Sequence, residues 1–199
     1  MKILAFSDLH RNHEIAQAIV DASMLADVVV GAGDFATKGE GLTDTLEILR
    51  HIPVPVVFVA GNHDCLAEMQ GAMQNWRTAH LLHGTGAVIQ GIPFFGLGYE
   101  IPAGADKPWN QRLEETEASD LLVNCPEGAV LVTHSPPFGV ADLQRNGRNE
   151  GSRAILSIIE HRQPRLVLCG HIHNAWGMTG TIGSCRVHNL GPSVHWFEV

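Results

Sequence analysis

Five short apolar runs, each followed by a brief polar motif, constrain the fold of this 199-residue chain more than any other feature. The runs are Lys2–Ser7, Asp27–Ala32, Val54–Ala60, Ala129–Thr133 and Leu166–Cys169. Their near-continuous apolar character indicates strands buried on both faces, as in a sheet covered by other layers. Apolar residues at helical spacing predict helices over Glu14–Leu25, Leu42–His51, Asn110–Leu122 and Asn149–Arg162. This alternation of strands and helices predicts an α/β fold with parallel strands.

Two stretches depart from this alternation. Ala87–Gly98 is predicted to form a hairpin that turns at Gln90-Gly91. The C-terminal pieces Thr179–Ile182, Arg186–Asn189 and Val194–Val199 are expected to be antiparallel strands that extend a second sheet. Two facing sheets with helices outside are therefore expected. Because no internal repeat or linker is visible, residues 1–199 are assigned to a single domain.

One irregular segment and the bulk properties limit the possible functions. Ile101–Trp109 contains prolines and a glycine, so it either carries substrate contacts or is a structural crossover. The net charge of -8 and the lack of a basic run oppose strong nucleic-acid binding. No apolar run approaches the ~20 residues of a membrane helix, so no membrane association is expected. Four scattered cysteines without a CxxC pair predict a reduced, cytoplasmic protein.

The polar motifs at the predicted strand ends contain residue types that bind metals. They are Asp8-Leu9-His10, Gly33-Asp34, Gly61-Asn62-His63-Asp64, Thr133-His134 and Gly170-His171-Ile172-His173. Side chains at the carboxyl ends of strands in an α/β sheet meet in one crevice. Carboxylates, an amide and imidazoles together suit divalent Mn, Fe, Zn or Ni. The set is too large for one tetrahedral ion and about right for a pair, although a hydrogen-bonded polar core without metal is the alternative.

As a set, these motifs resemble those of the calcineurin-like metallophosphoesterase superfamily. The resemblance extends from Asp8 to His173. Within that superfamily the chain is similar to small bacterial phosphodiesterases, including the class III cyclic-nucleotide group. The resemblance implies a four-layer α-β-β-α sandwich with two mixed sheets, and a dinuclear-metal-dependent phosphoesterase that hydrolyses a small phosphodiester or phosphomonoester. It also implies two divalent metal ions, for which Mn is the first expectation and Fe, Zn or Ni follow.

The resemblance further implies a role for each motif residue. The ligands of the first metal would be Asp8, His10, Asp34 and His173, and those of the second Asp34, Asn62, His134 and His171, with Asp34 bridging. A bridging hydroxide would attack phosphorus in line, and the metals would take up charge on the phosphoryl oxygens. His63, oriented by Asp64, would donate a proton to the leaving oxygen or stabilise its charge. The alternative for His63 is a purely structural position beside Asn62.

Several residues outside the motifs leave alternatives open. Arg11 either contacts phosphate or points to solvent. Arg145 and Arg148 precede a predicted helix whose N-terminus could receive an anion, or they are solvated loop residues. The segment Asn189-Leu190-Gly191-Pro192 resembles a loop that closes the site in small members of the superfamily.

The departures from the superfamily pattern bear on the substrate. Phosphoprotein phosphatases of the superfamily carry an Asp-Arg pair in the motif GDxxDRG, which is missing after Gly33-Asp34. A small phosphorylated substrate is therefore expected rather than a phosphoprotein. Two other functions remain: a nuclease, which the acidic charge and the lack of a visible cap region oppose, and a non-catalytic interaction scaffold, which the complete ligand set opposes.

Overall fold

Two mixed sheets form the centre of the fold. The computed structural model describes residues 1–199. The first sheet has the order β11-β1-β2-β3-β4, with strands β1 (Lys2–Phe6), β2 (Val28–Gly31), β3 (Val56–Phe58), β4 (Ala79–Leu81) and β11 (His195–Glu198). The second has the order β5-β6-β7-β8-β10-β9, with strands β5 (Thr85–Ile89), β6 (Ile92–Leu97), β7 (Val130–Thr133), β8 (Leu166–Cys169), β9 (Thr179–Ile182) and β10 (Cys185–Asn189). In each sheet the inner strands are parallel, so their carboxyl ends lie at one edge.

Helices cover the outer face of each sheet. They are α1 (His13–Ser23), α2 (Leu42–Leu49), α3 (Leu66–Met73), α4 (Glu115–Leu122) and α5 (Arg153–Arg162). One apolar cluster joins α1, α2 and α3 to the outer face of the first sheet, and another joins α4 and α5 to the second. A third cluster lies between the sheets and includes Ile3, Val57, Phe94 and Leu168. These clusters confirm the predicted α-β-β-α layers. None of the helices has the length and apolar character that spanning a membrane requires.

The five predicted motif-bearing strands and the hairpin are all present. At the hairpin turn, Gln90 and Gly91 have φ values of 49° and 81°, which is the left-handed pair that a type I′ turn requires. Two predicted helices were too long at their N-termini, since α4 begins at Glu115 and α5 at Arg153. Gln111 is not helical because its backbone N–H donates to the carbonyl of Asn62.

The assignment of the last strand to the second sheet was wrong. β11 pairs antiparallel with β1 in the first sheet, while β9 and β10 do belong to the second. The N-terminal ammonium donates to the carbonyl of Val199 across this edge. Helix α3 and the short strand β4 were not predicted.

Candidate metal centre

The carboxyl ends of five strands bring all seven predicted metal ligands together. The first sheet supplies Asp8 and His10 after β1, Asp34 after β2 and Asn62 after β3. The second sheet supplies His134 after β7, and His171 and His173 after β8. Asp8, Asp34 and His134 are at most 1% exposed, so these groups are held away from bulk water. The centre therefore lies where the edges of the two sheets meet.

Unusual backbone geometry aims several of these side chains. Asp8, His10, Asp34 and His171 have φ values of 55°, 45°, 57° and 68°, in the left-handed region that non-glycine residues seldom occupy. Such conformations are concentrated at functional sites, where the surrounding structure enforces them. Here the backbone N–H groups of Asp8 and His10 donate to the carbonyls of Gly33 and Asp34, which ties the two loops together.

At two motif glycines the backbone lies so close to a carboxylate that no side chain fits. A Cβ atom on Gly61 would overlap the carboxylate of Asp34, and one on Gly170 would overlap the carboxylate of Asp8. Any side chain at either position would therefore displace a predicted metal ligand. Glycine, which has no Cβ atom, permits this close backbone approach.

The first donor set consists of Asp8, His10, Asp34 and His173. One ligand atom from each lies within 4.8 Å of all the others. His10 Nε2 is 3.2 Å from His173 Nε2 and 3.4 Å from Asp34 Oδ2. His173 Nε2 is 3.6 Å from Asp8 Oδ1. Four donors thus converge on one small volume.

The second donor set is centred on the amide oxygen of Asn62. That oxygen is 3.0 Å from His134 Nε2 and 3.2 Å from His171 Nδ1. His134 Nε2 is also 3.5 Å from Asp34 Oδ1. Asp34 therefore directs one carboxylate oxygen toward each donor set.

The charges of this cluster suit divalent cations. Burial and the nearby carboxylates of Asp64 and Asp8 raise the pKa of Asp34 well above its usual value. Burial also raises the pKa of Asp8, but hydrogen bonds and charges from His173, His134 and Ser7 outweigh it and lower that pKa to about 2. Burial lowers the pKa of His134 to about 3, which keeps its ring neutral. Buried carboxylates beside neutral imidazoles are the ligands that divalent transition metals take, so the donor set fits two such ions.

The family follows from comparison with known proteins. The calcineurin-like phosphoesterase superfamily domain matches residues 1–197. The chain belongs to that superfamily. The predicted resemblance is therefore confirmed.

Individual relatives agree with this assignment. The chain is similar to a UPF0046 protein of Caenorhabditis elegans, with 29% identity over 198 residues, covering 89% of this chain and 65% of the relative. It is also similar to a cAMP/cGMP dual specificity phosphodiesterase of Mycobacterium tuberculosis, with 23% identity over 175 residues, covering 83% of this chain and 54% of the relative. The chain thus spans between 54% and 65% of the length of these relatives. Among solved structures, TT1561 of Thermus thermophilus matches with a TM-score of 0.79 and 18% identity over 98% of this chain and 97% of the other, which shows the shared fold.

The predicted catalytic histidine, His63, lies beside the first donor set. The His63 ring is centred 4.8 Å from that of His10 and 4.5 Å from that of Trp109. The backbone N–H of Lys38 donates to His63 Nδ1 over 2.7 Å. A neutral ring with this bond carries its proton on Nε2, which makes no hydrogen bond within the protein. Burial and the neighbouring histidines, His10 first, lower the pKa of His63 to about 4.

Asp64 does not orient the His63 ring, and that prediction was wrong. Its fully buried carboxylate accepts backbone N–H bonds from Phe35, Ala36 and Gly61 at 3.3, 2.8 and 2.8 Å. Asp64 thereby joins the loop after β2 to the loop after β3. Lys38 and Trp109 contact the His63 ring instead.

The surroundings of Arg11 and of the α5 N-terminus bear on the alternatives left open for them. Arg11 is exposed and lies 3.6 Å from Glu40, so it contacts no ligand of the centre. The N-terminus of α5 offers no anion site, because both carboxylate oxygens of Glu115 already accept hydrogen bonds there: the backbone N–H groups of Arg153 and Ala154 and the hydroxyl of Ser152 all donate to Glu115.

Arg145 and the Asn189–Pro192 loop both contact residues next to candidate ligands. Arg145 donates to the side chain of Asn174, next to His173, and Arg148 is exposed. In the Asn189–Pro192 loop, the N–H of Gly191 donates to the Ser7 hydroxyl, which in turn donates to Asp8. Through Ser7, this loop therefore helps to hold the carboxylate of Asp8, a predicted metal ligand.

Sequence reasoning missed the groups on the far side of the second donor set. Glu100, Trp109 and Asn110 lie in or beside the irregular segment, for which substrate contact and structural crossover were the two alternatives. A cavity of about 350 Å³ opens beside His171, and Glu100, Phe138 and Arg153 are among its lining residues. The guanidinium of Arg153 stacks 4.0 Å from the centre of the Phe138 ring. The proline and glycine content of the segment was the one available signal for this region.

Proposed function

We propose that this chain is a dinuclear-metal-dependent phosphodiesterase that hydrolyses small phosphodiesters, with Mn²⁺ as the first candidate metal. One observation carries the proposal: two donor sets share the carboxylate of Asp34, one oxygen directed to each. This is the arrangement that a pair of ions bridged by one carboxylate needs. Superfamily membership and the name of the Mycobacterium tuberculosis relative support the reaction class.

The chain's own residues divide the work of the proposed reaction. Two bound divalent ions supply Lewis acidity, which acidifies water and neutralises charge on phosphoryl oxygens. The left-handed backbone at Asp8 and Asp34 holds their carboxylates toward the donor sets before substrate arrives. His63, with Nδ1 occupied by the Lys38 N–H, presents Nε2–H to the leaving oxygen.

The surroundings of the centre favour a small diester. The cavity beside His171 has room for a leaving group of small-molecule size. The segment after Asp34 continues Phe35-Ala36-Thr37-Lys38-Gly39 and lacks the Asp-Arg pair of phosphoprotein phosphatases. The net charge of -8 opposes a long nucleic acid as substrate. Nucleotide diesters are therefore the first natural compounds to test.

The decisive experiment measures turnover against metal content. Protein stripped of metal is reloaded separately with Mn²⁺, Fe²⁺, Zn²⁺, Ni²⁺ or Mg²⁺ and assayed on bis(p-nitrophenyl) phosphate and on p-nitrophenyl phosphate. His63→Ala should lose diester turnover while retaining two ions, and His51→Ala, which changes an exposed histidine, should keep it. Preference for the monoester would contradict the phosphodiesterase assignment. Lack of turnover with two ions bound would instead support the non-catalytic scaffold.

Two further proposals concern the location and the domain organisation of the chain. We propose a cytoplasmic protein, supported by four unpaired cysteines, of which only Cys65 is exposed. We also propose that residues 1–199 form one domain, supported by the apolar cluster that joins the two sheets. A single cooperative unfolding transition, with coincident fluorescence and circular dichroism curves, is the expected result.

A further inference from the structure

A buried side-chain network behind the second donor set begins at Asn110. This residue is 7% exposed and lies between β6 and α4, directly after the irregular segment Ile101–Trp109. Its amide oxygen accepts from Asn62 Nδ2 over 2.7 Å. Its amide nitrogen donates to Glu100 Oε2 over 2.6 Å and to the carbonyl of Ala105 over 2.9 Å. The amide oxygen and both N–H groups of the amide nitrogen thus each have a specific partner.

The carboxylate of Glu100 sets the orientation of both amides in this chain. An ionised carboxylate only accepts hydrogen bonds, so Asn110 must turn its NH₂ group toward Glu100. Its oxygen then faces Asn62 and accepts from the Asn62 NH₂ group. Asn62 is left with its oxygen, rather than its nitrogen, between His134 Nε2 and His171 Nδ1. An oxygen is the only amide atom that can coordinate a divalent ion.

Glu100 also contacts the other side of the second donor set. Its Oε1 lies 3.6 Å from His171 Nε2, while His171 Nδ1 faces the Asn62 oxygen. A carboxylate beside Nε2 favours the tautomer with the proton on Nε2, which leaves the Nδ1 lone pair free. One carboxylate therefore controls which atoms two different ligands present.

The backbone holds Glu100 in place for this role. Its N–H donates to the carbonyl of Gln111 over 3.1 Å, and its carbonyl accepts from the N–H of Leu113 over 3.0 Å. Gln111 in turn donates to the carbonyl of Asn62 over 2.9 Å. These bonds close the irregular segment onto the loop that carries Asn62, so the network is anchored at both of its ends.

We propose that Glu100 and Asn110 are positioning residues for the second metal, which fix the amide orientation of Asn62 and the tautomer of His171. The inference rests on the proposed dinuclear function. Outer hydrogen-bond partners of metal ligands typically change metal affinity by about 10–100-fold. Glu100→Gln should therefore weaken the second ion by about 10–100-fold while leaving the first, which Asp8, His10, Asp34 and His173 hold, within about threefold of its wild-type affinity.

The first test is a Mn²⁺ titration of metal-free protein, followed by calorimetry and by counting the ions retained after gel filtration. Wild type is expected to bind two ions, and Glu100→Gln and Asn110→Asp to retain one. Glu127→Gln is the matched control, because Glu127 is exposed and lies away from the centre. Two ions bound by Glu100→Gln with both affinities unchanged would overturn the inference and leave the proposed function intact. Fewer than two ions on wild type would contradict the dinuclear function itself.

A second measurement needs no metal and does not depend on whether Glu100→Gln or Asn110→Asp folds. Long-range ¹H–¹⁵N spectra of metal-free wild-type protein report which ring nitrogen of each histidine carries the proton. The His171 signal, assigned by its loss in His171→Gln, should show the Nε2–H tautomer. A proton on Nδ1 in the wild type would overturn the inference whatever the metal titrations gave.

Discussion

The buried carboxylate of Asp64 allows a quantitative test of how the loops of the centre are held. Its two oxygens accept three backbone N–H groups, from Phe35, Ala36 and Gly61. The variant Asp64→Asn keeps the volume but replaces one acceptor oxygen by an NH₂ group. At least one of the three backbone donors then faces another donor in a site that excludes water.

The expected loss follows from the number of bonds. A hydrogen bond to a charged group contributes ~1.5–3 kcal/mol, and a buried donor without a partner costs ~1–3 kcal/mol. Asp64→Asn should therefore lower the free energy of unfolding by about 2 kcal/mol, through the loss of one bond. Asp64→Ala removes both acceptor oxygens and with them all three hydrogen bonds, and should lower it by about 4–5 kcal/mol. Because whole proteins are stable by ~5–15 kcal/mol, the alanine variant should be close to unfolding.

Urea denaturation of metal-free protein, followed by circular dichroism, measures this loss without interference from metal binding. Asp120→Asn is the matched control, because Asp120 is exposed on α4 and should change the free energy of unfolding by less than about 0.5 kcal/mol. If Asp64→Asn were as stable as this control, the three hydrogen bonds would not stabilise the loops. A variant of unchanged stability that had lost only turnover would point back to direct action of Asp64 on His63.

Three further outcomes are expected. Glu115→Ala removes the carboxylate that accepts hydrogen bonds from Ser152, Arg153 and Ala154, and should lower the free energy of unfolding by about 2–4 kcal/mol in the same urea assay. A loss of less than about 0.5 kcal/mol, as for a surface substitution, would refute the role of Glu115 as the cap of α5. Burial lowers the pKa of His83 below its usual 6.5 in the folded protein. As the pH drops below about 6.5, the unfolded chain therefore binds a proton at His83 more readily than the folded protein does, and the free energy of unfolding should fall. His83→Gln should flatten this part of the stability profile, and a profile identical to wild type would exclude the contribution. Added Mn²⁺ at about 100 times its dissociation constant should stabilise the folded protein by about 2.7 kcal/mol, and an unchanged melting temperature would show that the folded state does not bind it preferentially.

Elements with a continuous apolar signal could be predicted from the sequence, and weakly patterned ones could not. Leu166–Cys169 was predicted with its observed bounds, because a short run of consecutive apolar residues is typical of a strand buried on both faces. Helix α3 escaped prediction because it has no side-chain cap and contains Gly71, so little periodicity marks it. The position of β11 in the first sheet depends on pairing with β1 from the opposite end of the chain, and no local pattern encodes such a partner.

The candidate ligand residues could be identified from motifs, whereas the residues that support them could not. Each motif is local, so strand ends alone bring its residues to one edge of a sheet. Asn110 and Asn62 are separated by 48 residues, and only the folded chain brings their amides together. The error over Asp64 has the same origin, since adjacency to His63 in sequence does not determine which backbone groups its buried carboxylate meets.

The apolar layer between the two sheets affects the geometry of the candidate metal centre. Each donor set combines groups from both sheets, so the distances within it depend on how the sheets face one another. The spacing depends on side chains between the sheets, such as Val57 and Leu168, which are not candidate ligands themselves. A change of one methylene there would move whole ligand groups relative to each other. In this protein, apolar residues between the sheets therefore set the distances between the candidate metal ligands.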